Sequence, residues 1–147
     1  MATNYEYLRK YETKVQKTLL KRKDLIYPEL SYQIMGVLFK VSKELGSGYL
    51  EKHYQRALNN VELKRSGLKF KEQVPIELKY QDTKIGKYFL DFLIEDKVIL
   101  EIKNGRNFSN KNIEQVLGYL KAFNLSLGIL ANFTANGVAY KRIVNAQ

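Results

Sequence analysis

The sequence predicts an α/β fold, a mixed central β-sheet flanked by helices. Apolar residues recur at helical spacing up to Ser66. After Gly67 the period changes to alternation, the mark of strands. A helical pattern returns over 110–123, and two further strand-like stretches follow it. Helices, three strands, a helix and two strands make a sandwich around a mixed sheet.

Residues 1–24 form a basic, tyrosine-bearing leader with Arg9, Lys10, Lys14, Lys17, Lys21, Arg22 and Lys23. Leu8, Tyr11, Val15, Thr18 and Leu19 recur at near-helical spacing, so a helix is expected. It is either a surface helix packed on the domain or an extra phosphate-contacting arm. The domain proper is expected over 25–147. Pro28 suits a first helical turn, and Leu30, Ile34, Leu38, Val41 and Leu45 give an apolar stripe. Gly46-Ser47-Gly48 breaks that helix. A second helix is expected over 49–66, burying Leu50, Tyr54, Leu58 and Val61 and stopping at Gly67.

Val74, Ile76, Leu78 and Tyr80 alternate with polar residues as a strand, and Gln81 to Lys84 reads as a turn. Strands over 85–94 and 98–103 are apolar on both faces near their centres, which is expected of central strands. Ser109 or Asn110 caps a helix running to Phe123, with Ile113, Val116, Leu117, Leu120 and Phe123 inward. Residues 126–131 and 138–144 are the last two strands.

At 147 residues and 45% hydrophobic, the chain suits one domain with one core. Cysteine is absent, which removes disulfides, thiolate zinc sites, iron–sulfur clusters and a cysteine nucleophile. Its absence fits a reducing, cytoplasmic location. Met1 to Lys23 holds no continuous apolar stretch of the signal-peptide kind. No window approaches the ~20 apolar residues that span a bilayer. The net charge of +10, from 25 basic and 15 acidic residues, favours a polyanionic partner: nucleic acid first, an anionic membrane surface second. A solvated surface kept for solubility is the plain alternative.

Chemistry enters through two apolar strands that carry charges. On 98–103, Glu101 and Lys103 share a face with Ile99, while Val98, Leu100 and Ile102 share the other. On 85–94, Asp91 lies between Phe89 and Leu93 on one face, opposite Tyr88, Leu90, Phe92 and Ile94. A tight connection at Glu95-Asp96-Lys97 should make a hairpin that brings Asp91 near Glu101. The two can share a face only if cross-strand partners sum to an even number, so an odd-length connection is expected. Converging acidic oxygens beside a lysine make a hard-cation site with a charge-stabilising amine. A strand-end salt bridge is the structural alternative.

Glu51 lies nearly above Leu58 on its helix, close to the apolar face, and adds a third acid. Taken alone, it is an acid favoured by the helix dipole. Gln115 and Tyr119 are an i,i+4 pair on one flank of the 110–123 helix, beside its apolar stripe. By themselves they read as boundary packing. His53, the one histidine, points away from Glu51 and is expected to be exposed. No nucleophile-elbow serine and no phosphate-cradling glycine loop is present.

At these residues the sequence resembles the PD-(D/E)xK nuclease superfamily, and most closely its GxxExxY family. Gly48-Tyr49-Leu50-Glu51-Lys52-His53-Tyr54 matches G-x-x-E-x-x-Y. Asp91 followed by Glu101-Ile102-Lys103 matches the D…E-x-K core, and Gln115 to Tyr119 matches the Q-x-x-x-Y motif of RecB-like nucleases. The resemblance covers about residues 28–145. It implies a restriction-endonuclease-like core and a divalent-metal phosphodiesterase centre using Mg²⁺ or Mn²⁺. Asp91 and Glu101 would ligate the metal with help from the Ile102 carbonyl, and Glu51 would be a further ligand. Lys103 would orient or polarise the attacking water, while Gln115 and Tyr119 would support the site or contact the nucleic acid backbone. Leu90 stands where the motif has proline, and the lack of cysteine excludes the iron–sulfur RecB-like subgroup.

Three readings follow. The first is a metal-dependent nuclease acting on DNA in preference to RNA. The second is a nucleic-acid-binding module of the same fold without turnover. The third is a homodimeric interaction subunit with incidental charge.

Overall fold

The computed structural model describes residues 4–21, 26–105 and 107–146. Arg22 and Lys23 of the basic leader lie outside the described residues, as do the side chains of Leu8, Leu19 and Lys21. The elements are α1 (Asn4–Lys21), α2 (Pro28–Leu45), α3 (Glu51–Ala57), a π-helical turn (Leu58–Glu62), α4 (Leu63–Ser66), β1 (Phe70–Tyr80), β2 (Thr83–Ile94), β3 (Val98–Ile102), α5 (Asn110–Phe123), β4 (Leu127–Thr134) and β5 (Gly137–Val144). Chain contacts divide them into two units, one of the helices up to Ser66 with Phe133–Ala139, the other Gly67–Asn132 with the residues from Tyr140.

In the first unit, α2 buries Ile34, Met35, Leu38, Phe39 and Val41, close to the stripe read from the sequence. The leader helix packs on it through its own apolar side. Tyr11 meets Phe39 edge to face at 6.3 Å, and Gln16 Nε2 donates to the Tyr32 carbonyl at 3.2 Å. Arg9, Lys10, Lys14 and Lys17 remain exposed.

The helix expected over 49–66 starts at Glu51 and contains the π turn. A π turn takes up an extra residue and rotates the helical phase. Val61, expected inside, is therefore exposed, while Glu62 is buried at 5% exposure. Its carboxylate lies 3.3 Å from Lys40 Nζ and 3.6 Å from Arg65.

The five-stranded sheet runs in the order β1-β2-β3-β4-β5. Its β1–β2 and β2–β3 pairs are antiparallel and β3–β4 is parallel, so the sheet is mixed. The 81–84 turn is shorter than expected: Gln81 and Asp82 adopt φ of 48° and 63°, and pairing resumes at Thr83. The first strand begins four residues earlier than its alternation suggested, because Phe70 to Glu72 pair with Phe92 to Ile94.

Helix α5 begins at a reciprocal cap, in which Ser109 Oγ accepts the Asn112 N–H and Asn112 Oδ1 accepts the Ser109 N–H. It lies on the sheet through Val116, Tyr119 and Leu120, in a cluster with Ile76, Leu90, Leu93, Ile99, Leu130 and Ile143. Gly128 on β4 permits this approach: a Cβ there would stand 2.5 Å from Val116 Cγ1.

Candidate active site

The register of β2 and β3 sets the site. Phe92 pairs with Leu100, Leu93 with Ile99 and Ile94 with Val98, so partners sum to an even number across the three-residue connection Glu95–Asp96–Lys97. One step further, Asp91 stands opposite Glu101. There the side chains take over from the ladder. The Asp91 N–H donates to Glu101 Oε1 at 2.9 Å, and the Ile102 N–H donates to Asp91 Oδ2 at 2.8 Å.

Strict alternation in β2 fails at this point. Leu90 and Leu93, three residues apart, both join the cluster under α5, whereas opposite faces were expected of them. Across the strand pair, Gln73 has φ 50° and no ladder partner between Glu72–Phe92 and Val74–Leu90. The irregularity thus touches both strands at one level, β1 at Gln73 and β2 at Asp91, whose N–H goes to Glu101 Oε1.

Both carboxylates are nearly closed off, with Asp91 9% and Glu101 3% exposed. Burial first, then the charge of Asp91, push the Glu101 carboxyl up to about 8. Beyond β3, the Lys103 N–H donates to the Ala131 carbonyl at 2.9 Å and so keeps that residue on the sheet. Lys103 Nζ donates to Gln115 Oε1 at 3.3 Å.

Tyr119, expected on a helix flank, is a core residue only 6% exposed. Its ring belongs to the apolar cluster, because α5 lies close enough to the sheet to enclose it. Burial, then the Glu101 charge, push its hydroxyl up to about 12, so it stays a neutral phenol near neutral pH.

Glu51 sits in the other unit as the first residue of α3, half-buried. Its motif has a local physical basis. Tyr54 is buried, stacks on Phe133 at 4.2 Å and donates its hydroxyl to the Gly46 carbonyl at 2.7 Å. The same hydroxyl accepts the Tyr49 N–H at 3.4 Å. Tyrosine three residues after the glutamate thus clamps the glycine loop that leads into α3, where Gly48 has φ 93°. His53, expected to be exposed, is half-buried and its Nδ1 accepts the Leu50 N–H at 3.3 Å at the helix start.

Two contributors escaped the sequence reading. Asn132 is 3% exposed in β4, and its Nδ2 donates to the Gly105 carbonyl, holding the loop after Lys103. A lone amide in the apolar run Leu127–Phe133 was its signal, by the logic that singles out Asp91. Tyr88, whose ring lies 6.1 Å from that of Tyr119, had no such signal because tyrosine is common in strands.

Two buried carboxylates offer oxygen donors only, and a divalent cation would offset the burial and the Asp91 charge that raise Glu101. The donor chemistry thus fits a hard cation. Among the described residues, no three His, Cys, Asp or Glu side chains gather in one place. No described helix is long and apolar enough to cross a membrane.

No curated protein gives a significant match. The solved crystal structure of SSO0001 is similar at 19% identity with a TM-score of 0.49, over 82% of this chain and 60% of that one. This chain therefore spans less than two thirds of that structure's length. The family model of the PD-(D/E)XK nuclease superfamily matches residues 28–143. That match spans most of the chain, and the chain belongs to the PD-(D/E)XK nuclease superfamily.

Proposed function

We propose that the protein is a divalent-metal-dependent nuclease that hydrolyses DNA phosphodiester bonds. The observation that carries this reading is the buried Asp91–Glu101 pair, tied to the main chain at 2.9 and 2.8 Å, with Lys103 two residues on. Asp91, Glu101 and the Ile102 carbonyl would hold Mg²⁺ or Mn²⁺. When bound, such an ion supplies positive charge against the scissile phosphate and acidifies water. Lys103, steadied by Gln115, orients the attacking water or neutralises a phosphate oxygen. Tyr119 closes the site as an uncharged hydroxyl donor.

Glu51 is assigned as a further ligand because it stands in the G-x-x-E-x-x-Y pattern with Gly48 and Tyr54. That pattern and the Gln115/Tyr119 pair support placement in the GxxExxY family with RecB-like features. The +10 charge supports a nucleic acid substrate, and the exposed leader lysines are suited to phosphate. The absence of cysteine suits work in the cytoplasm.

The test is cleavage of single-stranded, duplex and branched DNA with and without Mg²⁺ or Mn²⁺. Lys103→Ala should lose about 100-fold or more in rate, the scale of removing one transition-state donor. Metal-independent cleavage, or none on any topology, would overturn the reading.

A further inference from the structure

The far half of the β1–β2 hairpin exposes apolar side chains: Leu78 at 43%, Tyr80 at 65%, Ile85 at 60% and Tyr88 at 44%. Leu78 pairs with Gly86, which has no side chain to cover it. β1 is also an edge of the sheet. Its outward-facing groups follow from two constraints. Pro75, opposite Phe89, has no N–H, so its nitrogen faces away from β2. At the other end, the two-residue turn Gln81–Asp82 requires its flanking pair, Tyr80 and Thr83, to bond inward. The register slips by one between Leu78–Gly86 and Lys79–Lys84, but the extra residue, Ile85, lies on β2, so β1 keeps its own alternation and directs the N–H and C=O of Glu77 and Lys79 outward. An exposed apolar edge with such groups is a template for another strand.

We propose that β1 pairs antiparallel with β1 of a second copy of this chain, about a two-fold axis at Leu78. In that register Glu77 faces Lys79 of the partner subunit, and Lys79 faces Glu77 of the partner subunit. Ile76 meets Tyr80 of the partner subunit, and the two Leu78 side chains meet on the axis. The outward groups of 77 and 79 form the hydrogen-bonded pairs, while 78 falls at a non-bonded pair, as the constraints above require. Self-complementary charge selects a second copy as the occupant. Residues 76–90 hold three lysines and two acids, so this stretch is nearly neutral in a chain of net charge +10. Two copies can meet here without the repulsion they meet elsewhere. Glu77 lies 3.6 Å from Lys84 within its own hairpin, an exposed pair of little energetic weight. Pro75 and the turn confine the new ladder to 76–80, which suits a reversible dimer.

Crosslinking and sedimentation test it on the full chain. The protein has no cysteine, so Leu78→Cys places one thiol per subunit on the axis. Non-bonded antiparallel pairs hold Cα atoms about 4.5 Å apart, within disulfide reach. Oxidation should link Leu78→Cys at least about tenfold faster than Tyr80→Cys, which is more exposed but lies off the axis. Wild type should sediment as a concentration-dependent dimer. Glu77→Lys and Lys79→Glu should each give monomer, and the double swap should restore the dimer. These exposed-edge changes leave the core untouched. Equal crosslinking at 78 and 80, a monomeric wild type, or a double swap no better than the single ones would overturn the proposal. A monomer whose DNA affinity falls on Tyr88→Ala would overturn it too, and would give this face to nucleic acid.

Discussion

Asp91 and Glu101 each use a carboxylate to accept a main-chain N–H from the opposite strand, Asp91 from Ile102 and Glu101 from Asp91. The two acids thus hold the β2–β3 junction together while repelling each other. Asn keeps an acceptor at position 91 and removes the charge, so Asp91→Asn should raise the melting temperature of the metal-free protein. The rise should be clearest above about pH 8, where Glu101 has lost its proton and both acids are charged. Asp91→Ala leaves the Ile102 N–H buried without its acceptor and should cost about 1–3 kcal/mol. Both should abolish cleavage, with DNA binding largely kept. Melting in EDTA and in Mn²⁺ checks this: Mn²⁺ should stabilise wild type, by about 2.7 kcal/mol at a hundred times its dissociation constant, and Asp91→Asn far less.

Stability without metal should fall as pH rises. Burial and then the Asp91 charge hold the Glu101 carboxyl up at about 8, so the folded state retains a proton that the unfolded chain releases in the ordinary glutamate range. The contribution is complete below that range and is lost as pH climbs to about 8, with a slope of up to about 1.4 kcal/mol per pH unit. Urea unfolding from pH 5 to 9 in EDTA measures it. Glu101→Gln should flatten the curve, and an unchanged slope in that variant would assign the proton elsewhere.

Tyr119 offers a separation of packing from chemistry. Tyr119→Phe keeps the ring in the α5 cluster and should leave the melting temperature within a few degrees, while the cleavage rate falls. Tyr119→Ala should cost about 3 kcal/mol by opening a cavity. Equal activity in Tyr119→Phe and wild type would confine the residue to the core.

Gly128→Ala should destabilise the sheet-and-α5 unit. The new methyl would stand 2.5 Å from Val116 Cγ1, and a β-branched side chain on a helix has one strongly preferred rotamer. Overpacking of this kind costs about 1–3 kcal/mol. Val116→Ala on the same background should recover part of the loss, a coupling that a double-mutant cycle in urea reads directly.

The leader can be tested without cutting it away. Its Tyr11 and Gln16 contacts to α2 mean that deletion would also remove packing. Lys10, Lys14 and Lys17 are exposed, so changing all three to Gln should leave the fold intact. If they touch phosphate, the slope of log affinity against log salt should shrink by up to about 2.7 for three contacts to duplex DNA. An unchanged slope would leave α1 a structural helix.

The sequence by itself determined which residues carry charge into apolar strands, and hence the acidic pair. An acidic pair on one face asks for an odd-length connection, and the three residues Glu95–Asp96–Lys97 supply the matching even-sum register. Both arguments concern neighbours along the chain, where backbone geometry leaves few choices. What tertiary structure decided lies wherever a distant element changes the local rule. The π turn rotated Glu62 inward and Val61 outward, against the 3.6-residue period. Leu90 and Leu93 share one cluster although alternation should have separated them, beside the left-handed Gln73 of the neighbouring strand. The glycine at 128 let α5 settle close enough to bury Tyr119, and no period marks a contact between residues so far apart in sequence. Burial also decided the chemistry. An isolated glutamate titrates near 4.3, and only a closed site with a second carboxylate inside it holds Glu101 up at about 8.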